Sequence, residues 1–324
     1  MDDLRSACAE VARRARHVRV VPEAIAPAAR ELAPAVRALA RAADGLATTT
    51  QASAPAADAG ATSRPAEEAQ RRERLAAAWL TLGAINFGSG WFPTLRKRPG
   101  MSGARTIAAA LWERFDAWGC WPASALEQIE PDEVAATLGQ DPRHELMALY
   151  AASLRDLGGH VRRDHGGSFA AVLDAAGSSA VSLARLLGRW ASFADEARHG
   201  ELRLPFLKRA QLAAADLHRA KAASFGDLPS LTMFADNLVP HVLRLDGVLR
   251  YSPALLERIE RGELLEHGCA EEVEIRACAV HAVELLVKSG AGGCAAEVDE
   301  ALWNRGQLPR YKAIPRHRCR TTAY

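Results

Sequence analysis

The sequence predicts an all-α protein, a single globular helical domain. Three observations predict it. Apolar residues recur with a period of about 3.6 through most of the stretch after residue 67, β-branched alternating runs are almost absent, and glycines fall where helices of ordinary length would end. Residues 1–47 are rich in Ala and Arg and are expected to form N-terminal helices packing on the core. Pro22, Pro27 and Pro34 interrupt them. Pro22-Glu23 and Pro34-Ala35 suit helix starts better than helix interiors, because proline lacks the N–H that an interior turn needs. From 48 to 67 the chain is Thr, Ala, Ser and Pro with almost no side chain large enough to anchor a core, so a flexible low-complexity insertion is expected. An all-α core then spans 68–324. Its helices are predicted over 68–82, 104–118, 131–138, 144–158, 168–176 and 179–193, then over 204–223, 237–245, 252–261, 271–288 and 295–305. Gly158-Gly159, Gly166-Gly167, Gly177 and the glycines of 290–293 suit helix ends and short loops.

Composition narrows the function classes. A chain of 324 residues, 49% hydrophobic and 25% charged, can bury a full core without staples. Its 41 basic and 39 acidic side chains balance to +2, which argues against affinity dominated by a nucleic-acid backbone. No stable nucleic-acid complex is expected. No apolar run approaches the ~20 residues of a membrane span, and Met1-Asp-Asp-Leu-Arg5 lacks a secretory pattern, so no membrane association and a cytoplasmic protein are expected. The six cysteines form no Cys-x-x-Cys pair, and the ten histidines form no His-Glu-x-x-His array. Glu274, Cys278 and His281 share a helical face, but no fourth ligand accompanies them, and no metal is expected.

The chemistry-bearing residues stand in four segments. In the first, 231–243, a carboxylate, Asp236, sits inside a run that is otherwise almost wholly apolar. Burying an unpaired ionised group costs several kcal/mol or more, so such a position is paired, protonated or catalytic. Two roles stay open for Asp236: chemistry beside the stacking ring of Phe234 and the amide of Asn237, or capping of a helix whose first turn is Asn237-Leu238-Val239, with Pro240 near its start. In the second, 86–103, glycines accompany Trp91, Phe92 and the cations Arg96, Lys97 and Arg98; it reads as a ligand-lining loop or as a plain surface loop. The third places Lys208, Arg209 and Gln211 at the start of an amphipathic helix, where they suit a phosphate or an ordinary charged face. The fourth sets Asp299, Trp303 and Asn304 at i, i+4 and i+5, so that an acceptor, a ring and an amide share one helix side. Spacing alone also allows Trp303 in a core with Asp299 capping. Glu272 and Arg276, at i and i+4, are expected to form a supporting helical ion pair.

In their order, Asn86-Phe-Gly-Ser-Gly-Trp91, Lys208-Arg-Ala-Gln211, Thr232-Met-Phe-Ala-Asp236 with Val239-Pro240, Glu272-Val-Glu-Ile-Arg276, Asp299 to Trp303, and His317-Arg-Cys-Arg320 resemble one family, the queuosine salvage proteins. These are also called queuosine 5′-phosphate N-glycosylases or hydrolases. The resemblance covers most of 17–324, with 48–67 as an insertion; eukaryotic members differ in the Asn-Phe segment and carry Tyr and Asp where this chain has Trp303 and Asn304. It implies an all-α fold similar to helix-hairpin-helix DNA glycosylases, a free nucleotide substrate, and no metal or cofactor. The implied reaction is hydrolysis of queuosine 5′-phosphate to queuine and ribose 5-phosphate. Asp236 becomes the catalytic carboxylate, and Phe234, Asp299, Trp303 and Asn304 become base-binding residues. Asn237, Trp91 and Phe92 are further candidates for substrate contact. For the 5′-phosphate the candidates are Lys208 and Arg209, the 96–98 run, or the C-terminal Arg316, Arg318 and Arg320. Two rival expectations are a DNA-base glycosylase of similar fold and a non-catalytic nucleoside-binding helical protein.

Overall fold

The computed structural model describes residues 1–52 and 63–324, with the side chains of 42–64 outside the described set. It is predominantly helical. Helix α1 (Asp2–Arg14) leads through strand β1 (Val18–Val20) into α2 (Pro22–Ala52). After α3 (Ser63–Ala84) and a loop come α4 (Gly103–Trp118), α5 (Ala123–Leu126), α6 (Pro131–Leu138), α7 (Glu145–His165), α8 (Phe169–Ala176) and α9 (Ala180–Leu187). The hairpin of β2 (Ala197–His199) and β3 (Leu202–Leu204) precedes α10 (Lys208–Arg219). Then follow α11 (Val239–Leu245), β4 (Leu249–Tyr251), α12 (Pro253–Glu260), β5 (Leu264–Leu265), α13 (Ala270–Leu286), α14 (Ala295–Arg305), α15 (Pro309–Lys312) and β6 (Arg318–Cys319). The strands form three two-stranded ladders, antiparallel for β1 with β4 and for β2 with β3, and parallel for β5 with β6.

The described residues group into two compact units interleaved in sequence. The first holds the described part of Met1–Ala59 with Glu196–Phe206 and Pro229–Cys319. At its centre α13 is buried almost all round, and α1, α2, α11, α14 and β1 pack on it. Because no face of α13 is given to solvent, its charged residues Glu272, Glu274 and Arg276 go inside and must find partners there. Glu274 finds backbone. Its carboxylate accepts from the N–H groups of Arg16 (3.0 Å), His17 (2.6 Å) and Val18 (3.1 Å), which ties the start of β1 to the central helix. The second unit holds the described part of Gly60–Asp195 with Leu207–Leu228 and Arg320–Tyr324. There α7 packs on α3, α5, α6 and α8, while α10 packs on α3 and α9.

Several predicted boundaries shift for physical reasons. Pro22 does open α2, but Pro27 and Pro34 lie inside it, on its exposed side with Glu23 and Arg30, whose carbonyls lose their partners yet face water. Ile25, Ala29, Leu32 and Val36 form the opposite, buried stripe. The insertion expected at 48–67 lies partly outside the described residues; α2 reaches Ala52 and α3 begins at Ser63, further in from each side than composition suggested, because Ala-rich sequence is helix-forming without an anchor. Residues 202–204 form β3, so α10 starts at Lys208. Gly166, Gly167 and Gly177 do follow helix ends, with positive φ, whereas Gly158 and Gly159 continue α7.

Close approach explains Gly158. A Cβ there would stand 2.6 Å from both Ala123 O and Glu127 N, backbone atoms of the α5 segment crossing α7. Gly158→Ala is therefore expected to destabilise the protein by about 1–3 kcal/mol despite the better helix propensity of alanine. A thermal midpoint equal to that of the wild type would show that the crossing is not tight.

Candidate active site

Residues 231–238 form a non-helical, almost wholly buried passage of the first unit, ending where α11 begins at Val239 with Pro240 in its first turn. Leu231 to Ala235 are buried, and Asp236 is half-buried. Asp236 Oδ1 accepts from Leu238 N (2.8 Å) and Val239 N (3.0 Å), so the carboxylate does hold the start of a helix, but that helix opens at Val239, two residues later than expected, with Leu238 at its N-cap position. Oδ2 receives no hydrogen bond from any described residue. One oxygen thus fixes the orientation of the carboxylate, and the other remains available for chemistry.

The backbone on either side of Asp236 is held by side chains from distant parts of the sequence. Arg276 Nε donates to Ala235 O at 3.0 Å, and Phe234 N donates to Asp299 Oδ1 at 3.0 Å. Asn237 Nδ2 donates to His317 O at 3.2 Å, and Arg5 Nη2 donates to Leu231 O at 2.9 Å. These contacts draw α13, α14, α1 and the C-terminal segment onto one short loop. Arg276 is wholly buried, with Nη1 3.6 Å from Glu272 Oε1 and its guanidinium 4.0 Å from the Phe206 ring centroid. Glu272, equally buried, also accepts from Gly268 N at 3.1 Å. The expected helical pair is therefore present, but it faces inward and supports the loop carrying Asp236.

In the C-terminal segment, Arg316 feels the charge of Asp236. Burial pulls the Arg316 guanidinium below its ordinary pKa, Asp236 opposes that change, and the neighbouring Arg318 adds to it. Burial pushes the His317 imidazole down to about 3, partly offset by Glu272, so it is neutral near pH 7. Neither ring nitrogen of His317 has a hydrogen-bond partner among the described residues. Sequence reasoning had no means of bringing His317 to Asn237, 80 positions away along the chain, because no periodicity links them.

The predicted residues Phe234, Asp236, Asn237, Asp299, Trp303 and Asn304 all belong to the first unit. Phe234, Asn237 and Asp299 are buried, Trp303 is half-buried against the core, and Asn304 is exposed. Glu274, one of the three residues at metal-like spacing, has its carboxylate on the backbone of β1, and among the described residues no His, Cys, Asp and Glu cluster forms a metal site.

Lys208, Arg209, Trp91 and Phe92 belong to the second unit. Arg209 is enclosed: its guanidinium lies 4.8 Å from the Phe87 ring centroid and 5.6 Å from that of Phe193, and Nη1 donates to Ala84 O at 2.5 Å. Burial lowers its pKa to about 10. Lys208 is also buried, with its N–H on Asp195 Oδ2 at 2.9 Å. Trp91 is packed inside and donates through Nε1 to Glu145 Oε2 at 2.7 Å. Phe92 covers Gly103, where a Cβ would stand 2.5 Å from the ring. Of the cation run, Arg98 is held bidentately by Glu113 at 2.5 and 2.8 Å, and Arg96 lies 4.0 Å from Asp141.

Comparison with known proteins points to one family. The sequence profile described as "Queuosine salvage protein" matches residues 69–324. A protein of Sphaerobacter thermophilus named queuosine 5′-phosphate N-glycosylase/hydrolase is 36% identical over 266 residues, 78% of this chain and 82% of that protein. Proteins of the same name from Mus musculus and Dictyostelium discoideum are 34% and 31% identical, covering 53% and 63% of this chain and 56% and 66% of theirs.

Proposed function

We propose, because the chain belongs to the queuosine salvage protein family, that it is an N-glycosyl hydrolase acting on queuosine 5′-phosphate. Water adds to C1′ of the ribose, the C1′–N9 bond breaks, and N9 of the leaving base takes a proton; the products are queuine and ribose 5-phosphate. Queuine is thereby returned for tRNA modification, and the reaction belongs in the cytoplasm. The observation that carries this reading is the Asp236 carboxylate, oriented through Oδ1 by two backbone N–H groups with Oδ2 open. Breaking the glycosidic bond builds oxocarbenium charge on the ribose, and a carboxylate at C1′ stabilises that charge or attacks as a nucleophile. A 7-deazaguanine base has no N7 to protonate, which raises the demand for hydrogen bonds elsewhere on its ring.

Phe234 and Trp303 serve in this reading as stacking surfaces, Asn237 and Asn304 as polar contacts, and Asp299 as an acceptor for the guanine-like edge that also fixes Phe234. In the second unit Arg209 braces the loop after α3 through Ala84, and Trp91, Phe92 and Lys208 are the remaining proposed contributors to substrate handling. We further infer that the helical core shares the architecture of helix-hairpin-helix DNA glycosylases. The near-neutral charge favours a free nucleotide over duplex DNA as substrate. The test is incubation of the purified protein with queuosine 5′-phosphate in EDTA, with release of queuine followed by mass spectrometry. Metal-independent release is expected; no release by the wild type would reduce the relationship to shared ancestry and a binding role.

A further inference from the structure

We propose that the outward face of the β1–β4 ladder, with the basic run that leads into it, is a docking surface for the phosphate backbone of single-stranded RNA. The run is Arg13-Arg14-Ala15-Arg16-His17-Val18-Arg19, and it crosses from the last turn of α1 into β1. Arg13 and Arg14 both pair with Glu10, one turn earlier on α1. Arg16 and Arg19 are exposed, and their side chains make no hydrogen bond or ion pair with any described residue. Register adds a third such cation, because the exposed Arg250, equally without a partner among the described residues, stands directly opposite Arg19. Val18, Leu249 and Tyr251 alternate inward to the core, so the two arginines share the outer face, with Cα atoms about 4.5–5.5 Å apart. Val21 N donates to Val248 O at 2.9 Å and Ser252 N to His17 O at 2.8 Å, which closes the ladder at both ends and holds the pair in place.

Like charges directly opposite each other across a ladder repel. The β2–β3 hairpin contains the same arrangement, Arg198 opposite Arg203, and there the chain supplies its own anion. Glu196 accepts from Arg203 Nε at 2.8 Å and from Nη2 at 2.7 Å. Those bonds from Arg203 hold the Glu196 carboxyl below its ordinary range, and the charge of Arg198 adds to the effect. Among the described residues no carboxylate plays that part for Arg19 and Arg250. An anion from outside would. It has to present several charges at once, since solvated arginines hold a lone anion weakly. None of the exposed large apolar side chains belongs to β1 or β4, so the face lacks the apolar anchors of a protein interface and offers cations alone. A phosphodiester backbone is held by cations alone, and the cytoplasmic setting proposed above makes that strand RNA. The net charge of +2 for the whole chain limits this to a weak, salt-sensitive contact, and no stable complex is implied.

The test is fluorescence anisotropy of a labelled oligouridylate of about 15 nucleotides, titrated with the full-length protein at salt concentrations from about 50 to 200 mM. Wild type is compared with the triple variant Arg16→Gln/Arg19→Gln/Arg250→Gln. The wild type is expected to bind with an affinity that falls linearly with salt on logarithmic axes. The variant is expected to lose about 10-fold or more at the lowest salt, and its slope to be shallower by about 2, or ~0.7 for each phosphate contact removed. Its thermal midpoint is expected to equal or exceed that of the wild type, because a repelling pair has gone. Should the triple variant fail to fold, Arg250→Gln alone carries the test, with a slope shallower by about 0.7. No binding by the wild type at about 50 mM salt, or a variant that binds with the wild-type affinity and slope, would overturn the assignment. So would polyglutamate of matched charge that binds more tightly than the RNA and is lost in the variant, since the face would then belong to an acidic protein segment.

Discussion

Asp236→Asn is expected to lower turnover of queuosine 5′-phosphate at least about 100-fold while leaving the fold intact, as is typical when a principal charge-stabilising group is lost. Asparagine is the informative replacement because its side-chain oxygen can still accept from Leu238 N and Val239 N, so the start of α11 keeps its cap. What disappears is the negative charge that the proposed mechanism sets against the developing oxocarbenium ion. Asp236→Ala removes the cap as well and is expected to lose about 1 kcal/mol of stability in addition to the same rate. The pair of variants therefore separates the hydrogen-bonding role of the carboxylate from the catalytic role proposed for it. The loss is expected in kcat more than in KM, since the charge is needed most in the transition state. A folded Asp236→Asn protein turning over at nearly the wild-type rate would sink the mechanism.

Much of this site is legible in the amino-acid sequence, and the limits of that legibility are physical. Asp236 stands out because a carboxylate in an apolar run carries a desolvation cost that must be met by something. The two readings of it, cap and reactive group, do not compete for the same atom, because the backbone bonds take Oδ1 and the reactive role is proposed for Oδ2. The shared face of Asp299 and Trp303 follows from helical geometry, but not that Asp299 grips Phe234 N, 65 residues away, because periodicity describes neighbours within an element only. Glu272 and Arg276 show the same limit. Their spacing declares a pair, while the side of the helix they face depends on what packs there, and α13 has no polar face to reveal it. The Gly158-Gly159 step misleads for the opposite reason: glycine marks flexibility in a loop and close approach in a packed helix, and only the crossing of α5 decides between them.

Arg276→Met is expected to destabilise the protein by about 3–5 kcal/mol, because it leaves Glu272 buried without its cation. The same substitution also withdraws the donor from Ala235 O, the carbonyl immediately before Asp236. These two consequences can be separated. In the double variant Glu272→Leu/Arg276→Met the uncompensated charge is gone and apolar volume fills the space, so the denaturation midpoint is expected to recover most of the loss. Activity is expected to stay depressed, since Ala235 O remains without its donor and the loop presenting Asp236 loses a constraint on its position. Arg276 would then be a positioning residue, acting through the backbone and touching no reacting atom. Recovery of both stability and turnover in the double variant would show instead that the buried pair holds the helices together and that the loop needs no help from it; a stability loss without recovery would place the weight on the stacking of Arg276 over Phe206, whose ring centroid lies 4.0 Å away.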